Sequence, residues 1–168
     1  MVAVRNEFYA IEPNQGILAK VSLDETIEEV ADLSATLGHI VPTALDYKGN
    51  FYVGNLGTFP IMGQSAIYKI NPAGEIKEVA SGFSAILGLV IDQQSRMYVL
   101  EMTVGAPFPR PGTGRIVRVD PNGNKEEVIS GLSLPTGMTM GPDGNLYVSN
   151  WGFGMPPGGG QIMKVTIN

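Results

Sequence analysis

The stretch GMTMGPDGNLYVSN, residues 137–150, contains two short runs in which apolar and polar side chains alternate, separated by Gly141-Pro142-Asp143-Gly144-Asn145. Alternation with a period of two over four to six residues marks a β-strand, because successive side chains point to opposite faces. In the linking pentapeptide proline fixes φ and glycine accepts a positive φ, which makes it a tight hairpin turn. The unit recurs along the chain. Phe8-Tyr9-Ala10, Phe51-Tyr52-Val53, Met97-Tyr98-Val99 and Leu146-Tyr147-Val148 set a tyrosine at intervals of 43, 46 and 49 residues.

Working outward from each tyrosine strand, here called b, three further runs repeat. Upstream lies strand a, as in Pro42-Thr43-Ala44-Leu45, Leu87-Gly88-Leu89-Val90 and Pro135-Thr136-Gly137-Met138. Downstream lie strand c, as in 17–21, 67–70, 116–119 and 162–165, and strand d, as in 28–30, 77–79 and 126–128. Asn71-Pro72-Ala73-Gly74 and Asp120-Pro121-Asn122-Gly123 supply hairpin turns of the same chemistry. Four-stranded antiparallel units at this period are the sequence signature of an all-β fold, a β-propeller of about four blades. The expected blades are approximately 1–38, 39–84, 85–133 and 134–168. Residues 23–37 tolerate a helix, but their alignment with strand d predicts a strand. The last repeat lacks strand d, and an unpaired sheet edge predicts self-association between copies. Closure as four blades in one chain, about eight across two chains, or a fragment of a six-bladed ring all remain open.

Composition narrows the functional classes. The chain has 168 residues, a net charge of −5, no cysteine, 22 glycines and 12 prolines. Scattered Lys and Arg form no basic stripe, which argues against nucleic acid. No apolar run is long enough to span a bilayer, and residues 1–12 lack the pattern of an export signal. Without cysteine there is no disulfide, thiolate metal site or cysteine nucleophile. Gly158-Gly159-Gly160 lacks the following Lys-Ser/Thr and helix of a phosphate-binding loop.

The segment from Leu134 to Ile162, with Tyr98-Val-Leu-Glu-Met102 and Gly114-Arg-Ile-Val-Arg-Val-Asp-Pro-Asn-Gly123 before it, resembles the ScyD/ScyE family of NHL-like propellers associated with scytonemin biosynthesis. The likeness covers most of 39–168. It implies a propeller fold and, for location, export beyond the cytoplasmic membrane. It assigns no chemistry, and members of the family are longer.

Two sets of residues are candidates for function. Glu12, Asn55, Glu101 and Asn150 each end a strand b. Equivalent positions converge on one face of a propeller, and carboxylate and amide oxygens suit Ca²⁺ or Mg²⁺. The alternative is that these side chains hydrogen-bond backbone where the b–c loop begins. The b–c loops form the second set, with Phe59, Phe108, Arg110, Trp151 and Phe153 amid proline and glycine. Rigid loops carrying aromatic side chains suit a small ligand or a protein partner, and equally suit plugs over the blade ends. In a related propeller class, the metal-dependent lactonases of the senescence-marker-protein type, the metal ligands lie near the start of strand a. The matching positions here are Thr43, Leu87 and Thr136, none an anionic ligand. His39, the one histidine, precedes strand a without a triad signature. The reading these residues favour is a non-catalytic binding scaffold. A metal-dependent, lactonase-like hydrolase and a structural fragment of a larger ring stand as alternatives.

Overall fold

The computed structural model describes residues 1–167. Fifteen strands form four antiparallel sheets, each a meander in chain order. The first contains β1 (Val2–Val4), β2 (Glu7–Glu12), β3 (Ile17–Val21) and β4 (Ile27–Asp32). The second contains β5 (Pro42–Tyr47), β6 (Phe51–Asn55), β7 (Ser65–Ile70) and β8 (Ile76–Phe83). The third contains β9 (Ile86–Ile91), β10 (Met97–Glu101), β11 (Gly114–Val119) and β12 (Lys125–Leu132). The fourth has β13 (Gly137–Met140), β14 (Leu146–Asn150) and β15 (Gln161–Val165). These are the blades of a β-propeller, with β1, β5, β9 and β13 innermost. No helix among the described residues is long and apolar enough to cross a membrane.

Residues 23–37 depart in part from the expected strand. Strand β4 ends at Asp32, and one short helix, α1 (Leu33–Leu37), follows. The Asp32 carboxylate accepts the Ala35 N–H at 2.8 Å and so caps a helix that Gly38, at φ 76°, terminates. Local capping chemistry thus wins after the strand has paired with β3.

Each tyrosine strand pairs with strand c so that tyrosine meets a cation: Tyr9 opposite Lys20, Tyr52 opposite Lys69, Tyr98 opposite Arg118 and Tyr147 opposite Lys164. This shared register directs the tyrosine face of the first three sheets toward the following blade. Three apolar cores result. Leu18, Ala31, Phe51, Val53 and Ile70 join the first blade to the second. Ala44, Ile67, Leu89, Val99 and Val117 join the second to the third. Tyr98, Leu100, Ile116, Leu146 and Val148 join the third to the fourth. Both faces of the inner blades are therefore apolar, and a sheet covered on both faces has no solvent side to mark with polar residues.

Close approach requires a small side chain where two sheets nearly touch. At Gly54 a Cβ would lie 2.6 Å from the Ile86 side chain across the second interface. Position decides exposure more than residue type. Leu18, Ile67 and Ile116 occupy the same place in three blades and are 0% exposed, whereas their fourth-blade counterpart Ile162 is 74% exposed. Truncating a buried aliphatic side chain costs about 3 kcal/mol, and truncating an exposed one costs little. Ile116→Ala should therefore lower the free energy of urea unfolding by about 3 kcal/mol, and Ile162→Ala by less than about 0.5 kcal/mol. Equal losses would contradict the three-core arrangement.

Candidate functional site

The four innermost strands line a cavity of about 560 Å3 at the hub. Every blade contributes to its walls, which include Val2, Thr43, Asp46, Leu87, Met138 and Thr139. Strands converge here because every blade presents strand a to the axis, so backbone and mostly aliphatic side chains surround the space. Asp46 supplies the carboxylate of the lining. Its Oδ1 accepts the Tyr47 N–H at 2.8 Å, and its Oδ2 accepts the Ile91 N–H from the next blade at 2.6 Å. Burial pushes the Asp46 carboxyl above its ordinary value, against the pull of these two amides and of Lys48.

Two further side chains of the second blade reach the third. The Thr43 hydroxyl donates to the Ile86 carbonyl at 2.5 Å, and the Lys48 ammonium donates to the carbonyls of Asp92 and Gln93. Thr43 and Leu87, weighed in the sequence as the positions matching lactonase metal ligands, do line the cavity, whereas Asp46 did not stand out in the strand pattern. The available signal was a charged residue at a core-facing position, since Asp46 sits where the next blade has Val90 and the last has Thr139.

The residues ending strand b do a common structural job. Asn55 Oδ1 accepts the Val41 N–H at 2.9 Å and the Gly57 N–H at 3.0 Å. Glu101 Oε1 accepts the Ser84 N–H at 2.7 Å, and its Oε2 accepts the Arg115 Nε–H at 2.6 Å. Asn150 Oδ1 accepts the Ser133 N–H at 2.7 Å. In these three blades the side chain ties the incoming linker to the end of strand b, satisfying a backbone donor away from water. Glu12 instead accepts the Asn14 and Gln15 amides of its own turn. None of the four lines the hub cavity. Among the described residues no group of three or more His, Asp or Glu side chains is placed to hold a metal ion. The oxygens considered for Ca²⁺ or Mg²⁺ are thus committed to amides and, at Glu101, to a guanidinium. His39 is exposed in the linker before β5.

The b–c loops of the second and third blades meet. Phe59 and Phe108 stack with centroids 5.9 Å apart and planes 11° from parallel, and the Ile61 N–H donates to the Pro107 carbonyl at 3.1 Å. Ile61, Ala85 and Met102 make a small buried cluster, packed by Leu56 and Leu87. The stacked pair stays in contact with solvent, Phe59 42% and Phe108 58% exposed, so it is not a plug. Arg110 is exposed. Trp151 and Phe153 lie apart from that pair, around a cavity of about 410 Å3 at the fourth blade with Met155 and Ile162. The five loop residues therefore divide into two surfaces.

The sequence matches no protein-family model and no curated protein. Solved propeller structures are similar in fold. A gluconolactonase of Xanthomonas campestris superposes with a TM-score of 0.67 at 16% identity, over 94% of this chain and 53% of that one. A calcium-binding regucalcin of Agrobacterium tumefaciens gives 0.64 at 16% identity, over 89% and 51%. A virginiamycin B lyase of Staphylococcus aureus gives 0.58 at 18% identity, over 99% and 54%. The chain spans about half the length of these structures.

Asp46 makes a prediction about pH. Because its carboxyl is raised in the folded state, folding binds a proton that the unfolded chain has released, and stability falls as pH rises from the ordinary carboxylate value through the raised one. Asp46→Asn should flatten that part of the melting temperature curve. An unchanged slope would show that the group is not desolvated.

Proposed function

We propose that this chain is a lactonase-like propeller whose hub cavity takes a small, hydroxyl-rich molecule. The observation that supports it most is the convergence of four inner strands on a cavity of about 560 Å3 holding one desolvated carboxylate. Pockets of this size admit a monosaccharide-sized ligand. The gluconolactonase and regucalcin likenesses favour this reading over a purely passive scaffold, though they speak to fold rather than to activity.

The residues present do not fit a divalent metal at the hub. Hard cations of this class take six or more oxygens, and Asp46 is the lining's single carboxylate. Chemistry assigned to these four blades therefore runs through Asp46 alone. As general base it takes a proton from water as the water oxygen bonds to the lactone carbonyl carbon. The ring C–O bond then breaks, and the proton passes to the departing alkoxide. A base with a raised pKa accepts that proton more readily near neutrality, and such groups contribute about a hundredfold or more to rate. The test is the opening of a gluconolactone above its spontaneous rate, falling about a hundredfold in Asp46→Asn. No acceleration, together with no shift in melting temperature by lactone or aldonic acid, would exclude the hub as a site.

The stacked, exposed Phe59–Phe108 pair supports a second reading, a loop face that binds an apolar or aromatic ligand or a protein segment. Removing one ring of such an anchor weakens binding by about tenfold or more. Phe108→Ser should lose uptake of an apolar fluorescent dye while keeping the melting temperature. Undiminished uptake would assign the dye to another surface.

A further inference from the structure

We propose that the cleft between the second and third blades binds a small organic carboxylate, with its anionic end on Lys69 and its apolar body between the two sheets. The cleft holds about 370 Å3 and lies at the end of these blades where the a–b and c–d turns are. Ile91, Met97 and Val119 of the third blade give it an apolar wall, and Lys48, Tyr52 and Lys69 of the second give it a polar one. A space of this volume and mixed lining is of the kind that holds a small ligand.

A departure from the repeat marks this cleft. Each blade sets a cation of strand c opposite the tyrosine of strand b, and in three blades that cation has an acidic partner. Lys20 meets Glu28 at 2.5 Å, Arg118 meets Glu126, and Lys164 meets Asp143 at 2.8 Å. Glu28 and Glu126 stand directly across from their cations on strand d. In the second blade that place belongs to Lys77. Like charges directly opposite on paired strands repel. Among the described residues Lys69 has no ion pair and no side-chain hydrogen bond. Glu78, the next residue along, pairs with Tyr68 on the other face of the sheet.

The tyrosine of this blade is left over in the same way. The Tyr147 hydroxyl donates to Asp143 at 2.9 Å, and the Tyr98 hydroxyl faces Asp92 at 3.5 Å. Both aspartates come from the a–b turn, and the shorter turn of the second blade, Lys48-Gly49-Asn50, has none. The Tyr52 hydroxyl has no partner among the described residues. Lys48 directs its ammonium to the carbonyls of Asp92 and Gln93, which uses two of its three donors. Asp120 is the acid in the lining. Its carboxylate is held by the Asn122 and Asn124 N–H groups at 2.8 and 2.9 Å and by the Asn124 side-chain amide at 2.8 Å. A carboxylate seated between Lys69 and Tyr52 accepts charge-assisted hydrogen bonds from both and offsets the repulsion between Lys69 and Lys77. The wall of Ile91, Met97 and Val119 then takes an attached phenyl or branched alkyl group out of water.

Titration calorimetry of the full chain with benzoate, and with benzyl alcohol as its uncharged counterpart, tests this. Benzoate should bind one to one and saturably, more weakly as salt is added, and benzyl alcohol should bind about tenfold more weakly or worse. Lys69→Gln should weaken benzoate binding about tenfold or more. Lys77→Glu should weaken it as much with Lys69 still in place, because it supplies the cross-strand partner that Lys20 and Arg118 already have. Lys77 is exposed, and its replacement removes a like-charge pair, so this variant should melt no lower than the parent. It decides the matter if Lys69→Gln fails to fold. The absence of saturable benzoate binding at millimolar concentration, or an affinity in either folded variant equal to the parent's, would overturn the proposal. The cleft is separate from the hub cavity, so that outcome leaves the hub reading untouched.

Discussion

Burial of one sheet face against the next is the interaction on which this structure depends. A blade has two apolar faces and can bury neither by itself, so stability comes from stacking on the blades before and after it. The tyrosine and strand c aliphatic positions enter the following interface, and the residues flanking the tyrosine enter the preceding one. Leu18, Ile67 and Ile116 show the consequence, being identical in burial although they belong to different sheets. Gly54 shows the tolerance, since the second and third blades approach too closely there for a methyl group.

Polar groups at the blade ends follow from that packing. A linker running from an outer strand to the next inner strand brings backbone amides to the rim of an apolar interface, where water cannot serve them well. Asn55, Glu101 and Asn150 supply the acceptors, each reaching the linker before its own blade. With Arg115 held against buried Glu101 at 2.6 Å, the third blade adds a charge-assisted contact to the same clamp. Fixing the linkers fixes where strand a enters the hub, and this gives the central cavity its walls.

The hub and the loop face divide the surface between two chemistries. At the hub, Asp46 accepts two backbone amides among threonine and aliphatic side chains. On the loop face Phe59 and Phe108 present parallel rings held by a backbone contact from Ile61 to Pro107. The aromatic loop residues were visible in the sequence as candidates, but not that two of them pair while Trp151 and Phe153 stand elsewhere. That partition depends on which blades are neighbours across the rim, a distance that no local pattern encodes.

The sequence by itself determined the strands, their hairpin turns and their four-fold repetition, because alternation, Pro-Gly turn chemistry and spacing act within a few residues or recur at a fixed period. It also marked the strand b termini as equivalent positions. Only the tertiary structure decided what those positions do. An Asn or Glu oxygen is an equally good acceptor for an amide or ligand for a cation, and the linker amide that claims it comes from 14 to 17 residues away in sequence. The same holds for Asp46, an ordinary surface residue by type, whose partner at Ile91 lies 45 residues on and whose desolvation arises from a neighbouring blade. Repetition is a property of the chain, but burial and hydrogen-bond choice belong to whatever the fold places across from it.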